Sequence, residues 1–395
     1  MNKRFNGGRR SARIFIHCAQ TGFSLIELMV ASTIGLLIMT AVLTLFLNVS
    51  RTNDEMAKTN MLIENGRFAI QLLQNDIAHA GFWDSYIPDF DDLTVTAVPA
   101  EIPAVVPDPC LAYSSWTAAT RTSQLGVPLQ VHDSPPSECG AVITNRRSGT
   151  DILVVRHLNT CVAGGCEAEE SGRLYFQASR ARGGDCPASV SSEAPYIFST
   201  DPADFVLHDR DCTTIASRRR FLSHIYYIRD YAVTLGDGVP TLVRSELDLE
   251  AGEIKARSAV ALIEGIEGFR VELGVDRISD SGRDIIVESS DADPYREAVE
   301  WADRKNLTSP VNRGDGVPDE FVHCSGVCSL DRLINVVAVK LHLLVRAQTG
   351  TPGYTDGKSY TLGEQAVAAA NDGFKRHVFS TVVRLNNVSG RRETP

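Results

Sequence analysis

One carboxylate stands alone in a long apolar stretch near the amino terminus. Glu27 is the only ionisable side chain between Phe23 and Ser50, and residues 28–47 form a run of 20 residues. A helix of that length spans about 30 Å, the thickness of a bilayer core. An acid inside such a helix is costly and usually functional, so Glu27 is the first candidate site residue.

The residues before the apolar stretch favour cleavage at one peptide bond. Residues 1–22 contain five Lys or Arg residues and no acid, so the positive-inside rule keeps this end in the cytoplasm and the rest of the chain outside. A secretory signal peptide is cut after its apolar region. Here the candidate bond, between Gly22 and Phe23, precedes that region, so cleavage would remove the basic leader and retain the helix.

This segment resembles the class III signal of type IV prepilins. The resemblance rests on the basic leader that ends in Gly22, on the aromatic Phe23 and on Ser-Leu-Ile-Glu-Leu-Met-Val-Ala at residues 24–31. It implies that a prepilin peptidase cleaves after Gly22 and methylates Phe23, and it maps the family's acid onto Glu27. The alternative is an ordinary signal anchor with an isolated glutamate.

The four-residue spacing between Phe23 and Glu27 also predicts a role for the carboxylate of Glu27. Cleavage would leave an ammonium group on Phe23, four residues earlier, where the two charges can neutralise each other. In a filament of packed helices, Glu27 can instead meet the amine of a neighbouring subunit. Because an unpaired charge in an apolar bundle is costly, wrong axial registers are disfavoured. We expect Glu27 to set register and recruitment while adding little net stability.

The cysteines predict disulfides outside the membrane. Cys18 lies in the leader, and the eight that remain are Cys110, Cys139, Cys161, Cys166, Cys186, Cys212, Cys324 and Cys328. Eight cysteines allow 105 pairings. Short spacing suggests Cys161–Cys166 and Cys324–Cys328, and sequence order then leaves Cys110–Cys139 and Cys186–Cys212. The alternative is metal binding with the nearby His157 and His323, although the two-residue cysteine spacing of zinc sites is missing.

The sequence lacks the motifs of an enzyme. It contains no nucleophile elbow, His-Glu-x-x-His pair, phosphate loop or dinucleotide fingerprint, and the histidines from His132 to His377 are scattered. We therefore predict no catalytic residue and no enzyme. The leader carries +5 of the formal net charge of −10, which leaves −15 on the rest. This acidity argues against a broad nucleic-acid-binding surface.

One loop resembles the second half of a calcium site. In residues 315–320, Asp-Gly-Val-Pro-Asp-Glu, a turn and a later acid could supply oxygen ligands. Val311 and Arg313 stand where acids would be expected, so Asp276 could supply a missing ligand. The candidate Ca²⁺ ligands are Asp276, Asp315 and Asp319. The simpler interpretation, a solvated acidic turn with no cofactor, is favoured.

A single long helix is expected to carry the amino-terminal groups. No proline precedes Pro88, and apolar residues recur on one helical face at Ile63, Ile70, Leu73, Ile77 and Ala80. We predict a helix from about Ser24 to Ala80, ended by Gly81; a coiled coil is the alternative. The expected divisions are a leader at 1–22, a membrane or filament-core helix at 23–50, its amphipathic continuation at 51–81 and a globular domain at 82–395.

Strand patterns dominate the second half of the chain. Strands predicted at 220–228 and 241–247 flank Gly236-Asp-Gly238, which indicates a hairpin with an extended turn. Further strands are predicted at 269–275, 337–345 and 377–385, whereas the turn-rich region up to Cys212 shows one clear strand at 151–157. One polar face per strand predicts an antiparallel sheet that the helix covers on one side. The predicted fold class is α+β, type IV pilin-like, with a long N-terminal helix packed on an antiparallel sheet and disulfide-stapled loops.

Several of these segments resemble PilW-type minor pilins. They are residues 63–70, 76–82, 224–228, 240–244, 261–271, 274–276, 336–340 and 379–385, whereas 84–217 and 277–311 match nothing recognisable. The resemblance implies a minor pilin that primes pilus assembly with other minor pilins, the major pilin and the inner-membrane assembly platform. It also implies a place at the pilus tip with a large adhesin.

The implied location is the inner membrane before assembly, with a cytoplasmic amino terminus and a periplasmic domain, and the pilus afterwards. Two other interpretations stay open. A minor pseudopilin of type II secretion has the same helix and works in another machine. A membrane-anchored periplasmic binding module never assembles, and it predicts an uncleaved leader.

Overall fold

The computed structural model describes residues 22–181, 186–286, 294–305, 307–326 and 328–393. The chain divides into two compact units, Met1–Ala57 and Lys58–Pro395. The leader that the sequence predicts lies outside the described residues as far as Thr21. Gly22 and Phe23 are described, and both are exposed.

The long helix has nearly the predicted bounds. Helix α1 is Leu25–His79. Gly81 follows with a φ of +74°, a conformation that glycine adopts without steric cost, and its N–H donates to the carbonyl of Arg156 at 3.0 Å. The predicted end of the helix at this glycine is confirmed.

The buried face of α1 in the second unit differs from the prediction. Ile63 and Ile70 are only partly buried, and the buried positions are Leu62, Gly66, Ala69, Leu73 and Ile77. Gly66 allows a close approach to the sheet, because a Cβ at this position would lie 2.2 Å from the ring of Phe379. The periodicity argument counted large apolar side chains and missed the small residues that make the contact.

The remaining elements are mostly short. The other helices are α2 Ala118–Gly126, α3 Ala188–Ser191, α4 Leu330–Leu333 and α5 Asn386–Arg392, and the 3₁₀ turns are Asp89–Asp91, Tyr113–Ser115, Ser137–Ala141, Pro202–Asp204 and Pro294–Arg296. The strands are β1 Leu129–His132, β2 Ile152–Leu158, β3 Tyr175–Ala178, β4 Tyr196–Ser199, β5 Arg218–Arg229, β6 Thr241–Glu250, β7 Glu253–Ala256, β8 Val260–Glu264, β9 Ile266–Val275, β10 Glu320–Val322, β11 Val336–Arg346, β12 Tyr360–Leu362, β13 Gln365–Val367 and β14 Arg376–Arg384.

The strands form two main antiparallel sheets where one was predicted. The larger sheet has the order β1-β2-β5-β3-β4, with β6 on β5 and with β7 and β8 on β6; the smaller has the order β10-β9-β11-β14. The predicted hairpin of β5 and β6 is confirmed by their register from His224↔Glu246 to Arg229↔Thr241. The region before Cys212 contributes β1 to β4, of which the sequence predicted only β2. The other three have four residues each, which is too short to show a period.

The second face of the smaller sheet is covered in part, around β9 and β11, whereas Val382 of β14 on the same face stays exposed; this corrects the prediction of one polar face. In β11, Leu341 and Leu343 belong to the main core, and Leu344, which alternation turns to the other face, is buried too. Leu362 of β12 lies on this second face beside Leu344, since a Cβ added to Gly268 would lie 2.9 Å from both side chains. The β12–β13 hairpin therefore covers part of a face that was expected to meet solvent.

Four disulfides join the cysteines in the order in which they follow one another along the chain. They are Cys110–Cys139, Cys161–Cys166, Cys186–Cys212 and Cys324–Cys328. The two histidines considered as zinc ligands beside cysteines face carboxylates instead. His157 Nε2 lies 2.9 Å from Asp76, and His323 Nε2 lies 3.2 Å from Asp151. In the structure the cysteines of these two places are joined in disulfides, and neither histidine contacts them through the ring nitrogen that faces its carboxylate.

Gly66→Ala is expected to destabilise the protein, although alanine is the better helix former. The new methyl group would overlap the ring of Phe379; such overpacking costs typically ~1–3 kcal/mol, against a helix-propensity gain of up to ~1 kcal/mol. The matched control is Gly390→Ala in α5, where a Cβ meets nothing within 4 Å, and it should leave stability unchanged or raise it. Urea unfolding of the full chain in detergent measures both, and equal effects would contradict this packing.

His132 should make the fold lose stability in mild acid. It is buried on β1, its Nε2 lies 2.7 Å from Gln130 Nε2, and burial, with the nearby charge of Arg156, lowers its pKa to about 4. The folded state therefore resists a proton that the unfolded chain binds below pH ~6.5, which removes up to about 3 kcal/mol as the pH falls from ~6.5 to ~4. Unfolding of wild type and His132→Gln across this range measures the effect; parallel losses would refute it.

Candidate functional site

The amino-terminal end of α1 is closed by reciprocal hydrogen bonds. The N–H of Ser24 donates to Oε2 of Glu27 at 2.9 Å, and the N–H of Glu27 donates to Oγ of Ser24 at 3.2 Å. This arrangement is a capping box, which satisfies N–H groups that a helix start otherwise leaves without partners. Phe23, the predicted first mature residue, is 90 % exposed directly before it. The site presents one carboxylate beside the predicted new amine.

The rest of this segment offers only apolar contact. The large apolar side chains from Leu25 to Val49 are exposed. Its hydroxyl groups turn back onto carbonyls of their own helix; Thr33 donates to Val30 at 2.8 Å and Thr44 donates to Ala41 at 2.8 Å. Among the described residues, α1 alone is long and apolar enough to cross a membrane, judged by length and composition. The segment is suited to lipid or to other apolar helices.

The three carboxylates predicted to bind calcium have other partners. Asp276 accepts the N–H of Gly316 at 2.9 Å and lies 3.3 Å from Nη1 of Arg392. Asp319 accepts the N–H of Arg277 and of Ile278, each at 2.7 Å.

Asp315 accepts the N–H of Val317 at 2.9 Å, which closes a local turn. The three carboxylates are not among the described groups whose ligand atoms lie within 4.8 Å of one another. A guanidinium group thus stands beside Asp276 where the sequence suggested Ca²⁺, and calcium binding stays a prediction from the sequence.

That guanidinium belongs to a buried charge network, here called the carboxy-terminal junction. Its members are Asp91, Asp276, Asn335, Arg391 and Arg392. Arg392 Nε lies 2.7 Å from Asp91, and its Nη1 donates to Asn335 Oδ1 at 2.8 Å. Arg391 Nε lies 2.9 Å from the second oxygen of Asp91. The network joins α5 to the first 3₁₀ turn and to the end of β9.

A second buried charge cluster joins α1 to the larger sheet. Asp76 Oδ1 lies 2.9 Å from His157 Nε2, and Asp76 Oδ2 lies 2.9 Å from His224 Nδ1. Burial alone would raise the pKa of Asp76, but the charge of His224 and hydrogen bonds from both rings hold this pKa well below its usual range. Burial opposes a charge on His157, yet the contact with Asp76 raises the pKa of this histidine.

Sequence reasoning missed both clusters. It assigned no role to Asp76, it treated the histidines as scattered, and it considered His157 only beside the neighbouring cysteines. The position of Asp76, directly before the buried Ile77 and three residues after the buried Leu73, was the signal that it faces the protein. No local pattern marks Arg392, because its partners lie far away in the sequence.

Comparison with known families matches both ends of the chain. Residues 225–387 match Type IV Pilus-assembly protein W, and residues 18–43 match the Prokaryotic N-terminal methylation motif. Among solved structures, the type IV-like pilin TTHA1219 from Thermus thermophilus is similar, with 14 % identity, 66 % of this chain and 82 % of that chain covered, and a TM-score of 0.25. At this TM-score the likeness carries no argument. A comparison with curated proteins gives no match.

A methylation motif at the head of a long apolar helix is typical of type IV prepilins, and in this chain disulfide-bonded antiparallel sheets follow that helix. More particularly, residues 225–387 in the second half of the chain are similar to the PilW type of pilus-assembly protein. These two matches support a structural role in a type IV pilus system. Its amino-terminal signal and helix indicate membrane anchoring.

Arg392→Gln is expected to destabilise the fold by about 3–5 kcal/mol, because it leaves the buried Asp276 without its cation and removes one of the two cations that pair with Asp91. The matched control is Arg384→Gln, which removes an exposed pair with Glu393 and should cost less than about 1 kcal/mol. Chemical unfolding of the full chain in detergent gives both values. A loss at Arg392 no larger than that at Arg384 would show that the junction is dispensable.

Proposed function

We propose that this protein is a minor pilin that is cleaved after Gly22, methylated on Phe23 and drawn from the inner membrane into a type IV pilus. The observation that carries the proposal is the single carboxylate of Glu27 at the head of an otherwise apolar, exposed helix surface. The PilW match of residues 225–387 supports a pilus over other machines that use the same helix.

The geometry of the capping box suits this assembly step. Ser24 holds one oxygen of Glu27 at the helix start, and the second oxygen remains for an ammonium group. That group is the amine of Phe23 in the same chain while the helix lies in lipid, and the amine of a neighbouring subunit in the filament. Because the two pairings are chemically alike, Glu27 selects the register of the neighbouring helices at little net gain in stability.

The size of the second unit supports a position at the filament end. The described residues of Lys58–Pro395 form one compact unit with two main sheets, the β12–β13 hairpin and four disulfides, and a subunit repeated along a filament does not require that bulk. The protein would prime assembly in a complex with other minor pilins and remain near the tip beside a large adhesin. A prepilin peptidase, the major pilin and the inner-membrane assembly platform would be its other partners.

Glu27→Ala should abolish entry into the pilus without preventing cleavage. We expect the amount recovered in sheared surface filaments to fall about tenfold or more, a change that corresponds to ~1.4 kcal/mol in the assembly equilibrium. The matched control is Glu64→Ala, which removes an exposed acid farther along the same helix and should behave as wild type. Quantitative mass spectrometry of filament and membrane fractions reports the amounts, the cleavage site and the methylation of Phe23 together.

Two outcomes would overturn the proposal. Entry of Glu27→Ala into filaments at the wild-type level would remove the role of the carboxylate. An intact amino-terminal leader on protein that stays in the inner membrane of piliated cells would favour the anchored binding module. Deletion of the protein tests the pseudopilin interpretation. If the protein were a pseudopilin, its deletion would abolish the secretion of enzymes and leave surface pili in place.

A further inference from the structure

The cluster of Asp76, His157 and His224 has the composition of a metal site. His157 on β2 and His224 on β5 lie on the same face of the larger sheet, since His224 pairs with Val155, two residues before His157. Helix α1 supplies Asp76 above them. The ligand atoms of the three residues all lie within 4.8 Å of one another, and all three side chains are at most 11 % exposed.

The hydrogen bond behind His157 fixes which nitrogen faces Asp76. Nδ1 of His157 lies 2.9 Å from the carbonyl oxygen of Leu158, which can only accept, so Nδ1 carries the proton. Nε2 then presents a lone pair to a carboxylate oxygen 2.9 Å away. Two acceptors in contact need a positive centre between them. In metal-free protein a second proton on the ring fills this place, and a cation fills it equally well.

A histidine whose second nitrogen donates to a backbone carbonyl is the usual arrangement of a metal ligand, because that bond fixes the ring and its tautomer. His224 directs Nδ1 at both oxygens of Asp76, at 3.0 and 2.9 Å. Two imidazole nitrogens and one carboxylate match the ligands that Zn²⁺ prefers. Tetrahedral bonds of ~2.0–2.1 Å place ligand atoms ~3.3 Å apart, so the contact of each histidine with Asp76 has to lengthen by only a few tenths of an ångström.

A cleft beside Asp76 gives an ion access to the cluster and leaves room for a further ligand of that ion. It is lined by Asp76, Tyr226, Arg244, His79 and the neighbouring residues of α1. His79 lies one helical turn after Asp76, and its ring centre is 5.7 Å from that of His157. Arg244 is the cation that faces this cleft, and Glu246 lies 3.8 Å from it. Water from the cleft can complete the coordination.

We propose that Asp76, His157 and His224 bind one divalent transition-metal ion of the zinc type, which ties the last turns of α1 to β2 and β5. The site is separate from the segment around Glu27 and does not depend on the proposed role in the pilus. Bound metal would stabilise the folded state in proportion to its concentration over the dissociation constant.

The test is a Zn²⁺ titration of the mature full chain in detergent, stripped with a chelator and carrying no histidine tag. We expect one ion per chain and a rise in melting temperature. Asp76→Asn, His157→Gln and His224→Gln should each weaken binding at least tenfold. The matched control is His342→Gln, which removes a buried histidine 3.4 Å from Glu272 and should leave the affinity within twofold.

No saturable binding by the wild type, or binding that the three substitutions leave intact, would overturn the proposal. If the substituted proteins do not fold, the zinc-edge X-ray absorption spectrum of the wild type decides. Two imidazole nitrogens and a carboxylate oxygen at ~2.0–2.1 Å support the site. Coordination by oxygen atoms alone assigns the ion to surface carboxylates and refutes it.

Discussion

Apolar side chains cannot remain in water along a whole helix face when a less polar environment is within reach. From Leu25 to Val49 every large apolar side chain of α1 is exposed, and the hydroxyl groups there bond to carbonyls of the same helix. The segment therefore needs lipid or other helices around it. Within that environment Glu27 is the only ionisable side chain between Phe23 and Ser50, and the proposed role in helix register depends on it.

The second unit uses the same helix in another way. Small residues at Gly66 and Ala69 replace bulky side chains at the contact with the sheet, and packing against Phe379 fixes the distance. Buried charged groups then hold the last turns of α1 and helix α5 in place. Asp76 connects the last turns of α1 to two strands, and Arg392 connects α5 to Asp91 and Asp276. Such buried charges are tolerated because each has a close partner, and they contribute more to a unique arrangement than to net stability.

The loop around Asp315 shows how one pattern permits two solutions. A buried carboxylate at the end of β9 needs a positive neighbour, and the sequence around it resembles a calcium loop. In the structure the positive charge comes from Arg392, which is 116 residues away from Asp276 along the chain. Nearby N–H groups complete the contacts of Asp276 and Asp319. The local sequence shows the need for a cation and not its source.

The sequence by itself determined the features that local composition and period can encode. These are the lone Glu27, the bounds of α1, its end at Gly81 and the hairpin of β5 and β6. Only the tertiary structure decided the second sheet, the covered face of β11, the small residues in the buried stripe of α1, and the partners of Asp76 and Arg392. The reason is physical: four-residue strands carry no readable period, and a contact between residues far apart in the chain leaves no trace in the sequence around either one.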